Sequence, residues 1–210
     1  MNLSPRHRHL LAALLTVLCA QQTLAATVTV DVTTRPATAA ADALIVFDPL
    51  DAAPAPSHDT AIIDQIGKQF MPRVSVVRTG TAITFPNSDH FRHQVYSFSS
   101  AKTFTLKLYA GSPHTAVIFD KAGLAILGCN IHDNMVGYVG VVDSPYFAKL
   151  NDSGSAALNL PPGRYRLRVW HPHAVTAAPP REIAVSTAPM NISLTIDVDS
   201  NSAAVAPWPE

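Results

Sequence analysis

Between Thr60 and Asp143 the chain breaks into short runs of Val, Ile, Thr and aromatic residues, each closed by a proline, a glycine or a polar turn. No stretch of this block repeats at the helical period, and strands are the elements that fit. Runs at 61–65, 70–77, 81–85, 93–99, 103–109, 114–119, 123–129 and 137–142 amount to seven or eight strands, the pattern of a β-sandwich. In the 93–99 run His93, Val95 and Ser97 alternate with Gln94, Tyr96 and Phe98. One set must therefore face a core and the other solvent.

The flanks of this block look incomplete taken separately. Upstream, 27–33 alternates Val28, Val30 and Val32 with polar residues, and 43–47 is continuously apolar. Two strands cannot bury a face alone. Downstream, 156–160 and 164–170 read as a hairpin around Pro161-Pro162-Gly163, a type II turn with positive φ at the glycine. Tyr165, Leu167 and Val169 then share one face, opposite Arg164, Arg166 and Arg168, and strands at 182–185 and 191–198 follow. We read 26–59 and 144–199 as halves of one split β-sandwich around a 60–143 insertion, with a disordered Ala/Pro-rich tail over 200–210. Two separate small modules, or extra strands on a single sandwich, are the alternatives.

Residues 1–25 read as a secretory signal peptide. Arg6 and Arg8 precede an apolar run over 10–20 that is too short to span a bilayer, and Thr23 and Ala25 are small residues suited to cleavage after Ala25. The expected location is periplasmic or secreted. With the leader removed the chain keeps a slight acidic excess, because Arg6 and Arg8 leave and no acid does. No basic run with interleaved aromatics suggests a nucleic-acid partner, and no second apolar run suggests a membrane span.

Cysteine usage narrows the chemistry further. Cys19 would leave with the leader, so Cys129 would stand alone in an oxidising compartment. A buried inert cysteine is one explanation; metal ligation or catalysis is the other. Cys129-Asn130-Ile131-His132-Asp133-Asn134-Met135 places a thiol, an imidazole and a thioether within one short stretch. Zinc rarely takes thioether sulfur, whereas two His and one Cys with a weak axial Met describe a blue-copper electron-transfer site. A second histidine is then required, and His93 is preferred over His90 because it begins a strand and shares a face with Val95. The rival, a Cys129 nucleophile with His132 as base, needs an orienting group and a substrate cleft that nothing marks, so no enzymatic activity is expected. His171 and His173 read as exposed imidazoles at a strand end, and His58 and His114 as surface residues.

The pattern Phe85-x-Asn87-x-Asp89, His93-x-Val95, Cys129-x-x-His132-x-x-Met135 and Gly137-x-Val139 resembles cupredoxins, and the short gap from His132 to Met135 is similar to amicyanin-type copper loops. Longer runs, Leu106–Gly111 and Asp143–Ala148 among them, resemble secreted cupredoxin-domain proteins labelled methylamine utilization protein. Their Pro-Pro-Gly-x-Tyr and Trp-His-Pro segments match 161–165 and 170–172, and the flanking strands are similar to carboxypeptidase regulatory-like domains. The fold implied is all-β: a cupredoxin Greek-key β-sandwich inserted in, or flanked by, a small Ig/transthyretin-like β-sandwich. The implied site is one mononuclear copper with His93, Cys129 and His132 equatorial and Met135 axial. Gln94 and Asp133 depart from the Asn and Pro that cupredoxins often carry there. The function implied is a periplasmic one-electron carrier whose redox partner proteins dock transiently near His132. A copper carrier or sensor without redox turnover, and a structural module with a vestigial site, are the alternatives.

Overall fold

The computed structural model describes residues 24–37, 40–53, 55, 57–113, 115–202 and 204–209. Most of the expected leader, and His114, lie outside the described residues. Among them the chain is all-β. β1 (Ala26–Arg35) and β2 (Leu44–Pro49) come first. They are followed by β3 (Thr60–Ile62), β4 (Asp64–Ile66), β5 (Gln69–Met71), β6 (Val74–Arg78), β7 (Thr81–Thr84), β8 (His93–Ser99), β9 (Lys102–Tyr109), β10 (Val117–Phe119), β11 (Gly123–Gly128) and β12 (Val136–Val142). β13 (Phe147–Lys149), β14 (Ser155–Leu160), β15 (Gly163–Trp170), β16 (Arg181–Val185) and β17 (Met190–Asp197) complete the set. No helix among the described residues is long and apolar enough to cross a membrane.

β1 buries Val28, Val30 and Val32 and exposes Thr27, Asp31 and Thr33, the period-two pattern of a strand with one face on a core. It lies between β14, antiparallel, and β17, parallel. β2 sits in the opposing sheet, ordered β13-β2-β15-β16. Ile45 and Phe47 of β2 and Tyr165 and Leu167 of β15 meet Val28, Val30 and Ile192 in one core. The first two strands and the last five thus build two facing sheets jointly.

β14 and β15 do not form the expected hairpin. β14 pairs with β1 and β15 with β2 and β16, so the chain crosses between sheets at Pro161-Pro162. Gly163 is the first residue of β15, opposite Val185, and is not among the glycines with positive φ. Two prolines lack the N–H groups a continuing ladder needs, which suits a crossing point.

The strands from β3 to β12 make a second sandwich. A sheet ordered β6-β12-β11-β8-β9 faces one ordered β10-β7-β3, with a small β4-β5 hairpin beside them. Phe70, Phe85, Val95, Phe119, Leu127 and Val139 fill the core between them. β12 is buried almost throughout, because Val139 and Val141 face this core while Tyr138 faces away into a third cluster.

That third cluster joins the two sandwiches. Leu44 and Trp170 meet Val74, Tyr138 and Ala206, with Leu124, Ile126 and Trp208 packed around them. The tail, expected to be disordered, docks here over its described part. Trp170 Nε1 donates to Ala206 O at 3.0 Å, and an Arg168 guanidinium nitrogen donates to Pro209 O at 2.9 Å. Arg168 also grips Asp48 through two bonds of 2.6 and 2.9 Å. Gly140 leaves the space the tail uses: a Cβ there would lie 2.5 Å from the Trp208 ring. Buried area at Trp170 offsets the entropy of ordering an Ala/Pro-rich segment, which composition alone suggests is too costly.

Candidate metal centre

Three side chains converge at one end of the second sandwich. His93 opens β8 with its side chain fully buried, Cys129 directly follows β11, and His132 lies in the turn between β11 and β12. β8 pairs with β11 through Tyr96 opposite Gly128, which brings the two ligand-bearing strand ends together. Cys129 Sγ lies 3.6 Å from His93 Nδ1 and 3.8 Å from His132 Nδ1. All three ligand atoms fall within 4.8 Å of one another. Met135 ends the turn, its N–H donating to His132 O at 2.9 Å, and its side chain is buried in the same core cluster as Cys129.

This geometry fits a metal ion. A first-row ion bound by a thiolate at about 2.3 Å and by imidazole nitrogens at about 2.0–2.1 Å in a trigonal plane separates sulfur from nitrogen by roughly 3.8 Å. Both observed separations agree with that. Cys129 is buried and free of any disulfide, so its sulfur is available.

The loop from β7 to β8 is held by buried amides. Asn87 Nδ2 donates to Phe91 O at 2.9 Å and Tyr109 O at 3.0 Å, while its Oδ1 accepts the Asp89 N–H at 3.0 Å. Gln65, fully buried on β4, donates to Phe85 O, Pro86 O and Tyr109 Oη at 3.3, 3.0 and 2.6 Å. Burial pushes the Tyr109 phenol up to about 12, against the opposing effect of the Gln65 hydrogen bond.

Asp89 contacts His93 directly. Its Oδ2 lies 2.8 Å from His93 Nε2, and its carboxylate accepts the Gly67 and Lys68 N–H groups at 2.7 and 3.0 Å. Burial pushes this carboxyl up, but the Lys68 amide, His93 and the Gly67 amide outweigh it and hold Asp89 below the usual carboxylate range. His132 also lies below the usual value of its type: burial first, then the neighbouring His93 and Lys68, lower its pKa, with Asp89 opposing.

Phe91 covers the two imidazoles, its ring centroid 5.0 Å from His93 and 5.6 Å from His132. Lys68 Nζ stands 5.5 Å from the Phe91 ring. Phe91 and Ile131 are exposed beside the partly buried His132.

His93, Cys129 and His132 are thus brought together, with Met135 buried in the same core cluster as Cys129, while His90 is exposed and outside the group. His171 is buried rather than exposed, since β15 carries it to the edge of the junction, where its Nδ1 accepts the His173 N–H at 3.2 Å. His58 is exposed. The Asp89 contact and the Phe91 cover were not identified from sequence; the four-residue step from Asp89 to His93 is the signal that marks the first.

An all-β sandwich with a buried Cys and two His at one end is what fold and site define. No protein-family model matches this chain, and no curated protein matches it. Among solved structures it is similar to a copper-containing nitrite reductase from Thermus scotoductus SA-01, at 23% identity and a TM-score of 0.37, over 45% of this chain and 26% of that one. It is also similar to a purple cupredoxin from Nitrosopumilus maritimus, at 22% identity and a TM-score of 0.34, over 40% of this chain and 99% of that one. A reduced amicyanin variant matches at 20% identity and a TM-score of 0.33, over 45% of this chain and 97% of its own.

Proposed function

We propose that this chain is a mononuclear type 1 copper protein that carries single electrons between partner proteins in the periplasm, and is not an enzyme. The observation that carries the reading is the convergence of two imidazole Nδ1 atoms on one buried, unpaired cysteine sulfur, at 3.6 and 3.8 Å. His93, Cys129 and His132 would hold the ion, with Met135 as a weaker fourth ligand. When bound, copper supplies a one-electron couple for which thiolate and thioether suit the reduced ion and imidazole the oxidised one.

The chain's own part is to hold one geometry for both states. His93 is locked by burial and by Asp89, and Cys129 and Met135 sit in the close-packed core, where side chains have little room to shift. His132, only partly buried beside the exposed Phe91 and Ile131, is suited to be the edge where electrons enter and leave. A small apolar rim of this kind suits transient docking. The leader-like residues 1–25 support the location. The carrier or sensor reading without redox turnover uses the same ligands and differs in lacking a reversible couple.

Alanine variants at His93 and His90 test the ligand set. Copper-loaded His93→Ala is expected to lose the intense sulfur-to-copper visible band, whereas His90→Ala keeps it at full strength. Retention of the band in His93→Ala contradicts the assignment. Tight copper binding with no reversible couple in the unaltered chain selects the carrier or sensor reading.

A further inference from the structure

One carboxylate oxygen of Asp89 meets the Nε2 edge of His93, and the rest of its polar contacts hold that carboxylate in place. Its carboxylate reaches His93 Nε2 at 2.8 Å, and the ring itself has no exposed surface, so water does not compete for that nitrogen. The carboxylate is in turn fixed by backbone. The Gly67 and Lys68 N–H groups donate to it from the turn of the β4-β5 hairpin, and the Asp89 N–H is tied to Asn87 Oδ1. The hairpin is anchored by Gln65, whose side chain bonds the carbonyls of Phe85 and Pro86, and by Ser88, whose Oγ donates to Asp64 at 2.7 Å.

An acceptor fixed at Nε2 requires the proton of a neutral imidazole to reside there, which leaves the Nδ1 lone pair directed at the cysteine sulfur. A carboxylate behind a ligating histidine also makes that histidine a stronger base, and its negative charge favours the more highly charged state of an ion bound in front. We propose that Asp89 is a positioning residue that holds His93 as its Nε2–H tautomer and biases the metal centre toward its oxidised state. The second half rests on the copper reading above; the first does not.

The test has two arms. In the metal-free protein, long-range proton–nitrogen correlation spectra should show His93 protonated at Nε2 in the unaltered chain. An Nδ1–H tautomer there overturns the positioning role whatever metal the site takes.

In the copper-loaded protein, Asp89→Asn keeps the shape and removes the charge. Outer-shell partners of metal ligands are typically worth 10–100-fold in affinity. The affinity for Cu(II) relative to Cu(I) should therefore fall by about tenfold, a rise in potential of about 59 mV for a one-electron couple. Asp89→Glu, which keeps the charge, should hold the potential close to that of the unaltered chain. Ser88→Ala, which loosens the hairpin without removing the Asp89 charge, should leave the potential in place. An Asp89→Asn protein with an unchanged visible band and unchanged potential overturns the electrostatic half while the copper reading stands. Absence of the band from the unaltered chain counts against the copper reading and the electrostatic half together, and leaves the tautomer arm to decide the positioning role.

Discussion

Cys129→Ala is expected to abolish the intense visible band and the thermal stabilisation that copper confers, while leaving the metal-free fold nearly as stable as before. The sulfur is the one soft anion among the three converging atoms, and the thiolate is the form that binds metal. Loss of an outer-shell partner costs 10–100-fold in affinity, so loss of this direct ligand should cost more than about a hundredfold. A ligand that binds the folded state alone stabilises it by about 4 kcal/mol at a thousandfold excess over Kd. For a domain of this size that raises Tm by roughly 8–16 °C. The unaltered chain should show that rise on adding Cu(II), and Cys129→Ala should not. Deleting one small buried atom from the core costs only about 1 kcal/mol in the metal-free protein, comparable to removing a buried methylene. A copper-induced Tm rise of equal size in both proteins contradicts ligation by Cys129.

Trp170→Ala should be strongly destabilising although it lies outside the metal centre. Trp170 is buried where the two sandwiches meet, its ring centroid 5.7 Å from Tyr138 and 5.8 Å from Trp208, and it carries the hydrogen bond to Ala206 O. Truncating a buried tryptophan costs about 3–5 kcal/mol, or roughly 10 °C in Tm for a protein of this size. The tail loses both the ring that Trp208 packs on and the indole N–H that the Ala206 carbonyl accepts. Trp208, the other of the chain's two tryptophans, should then move into water and shift its emission to longer wavelength. The copper band should remain, because Cys129 and Met135 belong to a different core cluster from Trp170. A Tm within a couple of degrees of the unaltered chain, with unchanged Trp208 emission, contradicts a packed junction.

How much of this was legible in the sequence depended on the range of the interaction. Alternation in β1, β8 and β15 predicted which residues face in, because the side-chain period of a strand is local. Cys129, His132 and Met135 were legible for the same reason, being ligand types within one short turn. His93 could be preferred over His90 from strand alternation alone, and the structure places His93 in the cluster and leaves His90 exposed.

What composition could not supply was where the chain crosses from one layer to another. Pro161-Pro162-Gly163 has the residues of a hairpin turn, yet β14 and β15 belong to different sheets, a fact set by their partners β1 and β2. The tail has too little apolar surface to order itself, and its docking depends on Trp170 and on the space left by Gly140. The Asp89 contact depends on how a loop held by Asn87 and Gln65 folds back onto the β4-β5 hairpin. Each miss was a long-range partnership between short, locally ambiguous segments.

The most direct test of the copper assignment is to add Cu(II) to the purified, unaltered chain and record its visible spectrum and cyclic voltammogram together. An intense sulfur-to-copper band that saturates at one copper per chain, with a reversible one-electron couple, is the expected result. Weak d–d absorption without that band, or failure to bind copper at all, contradicts it.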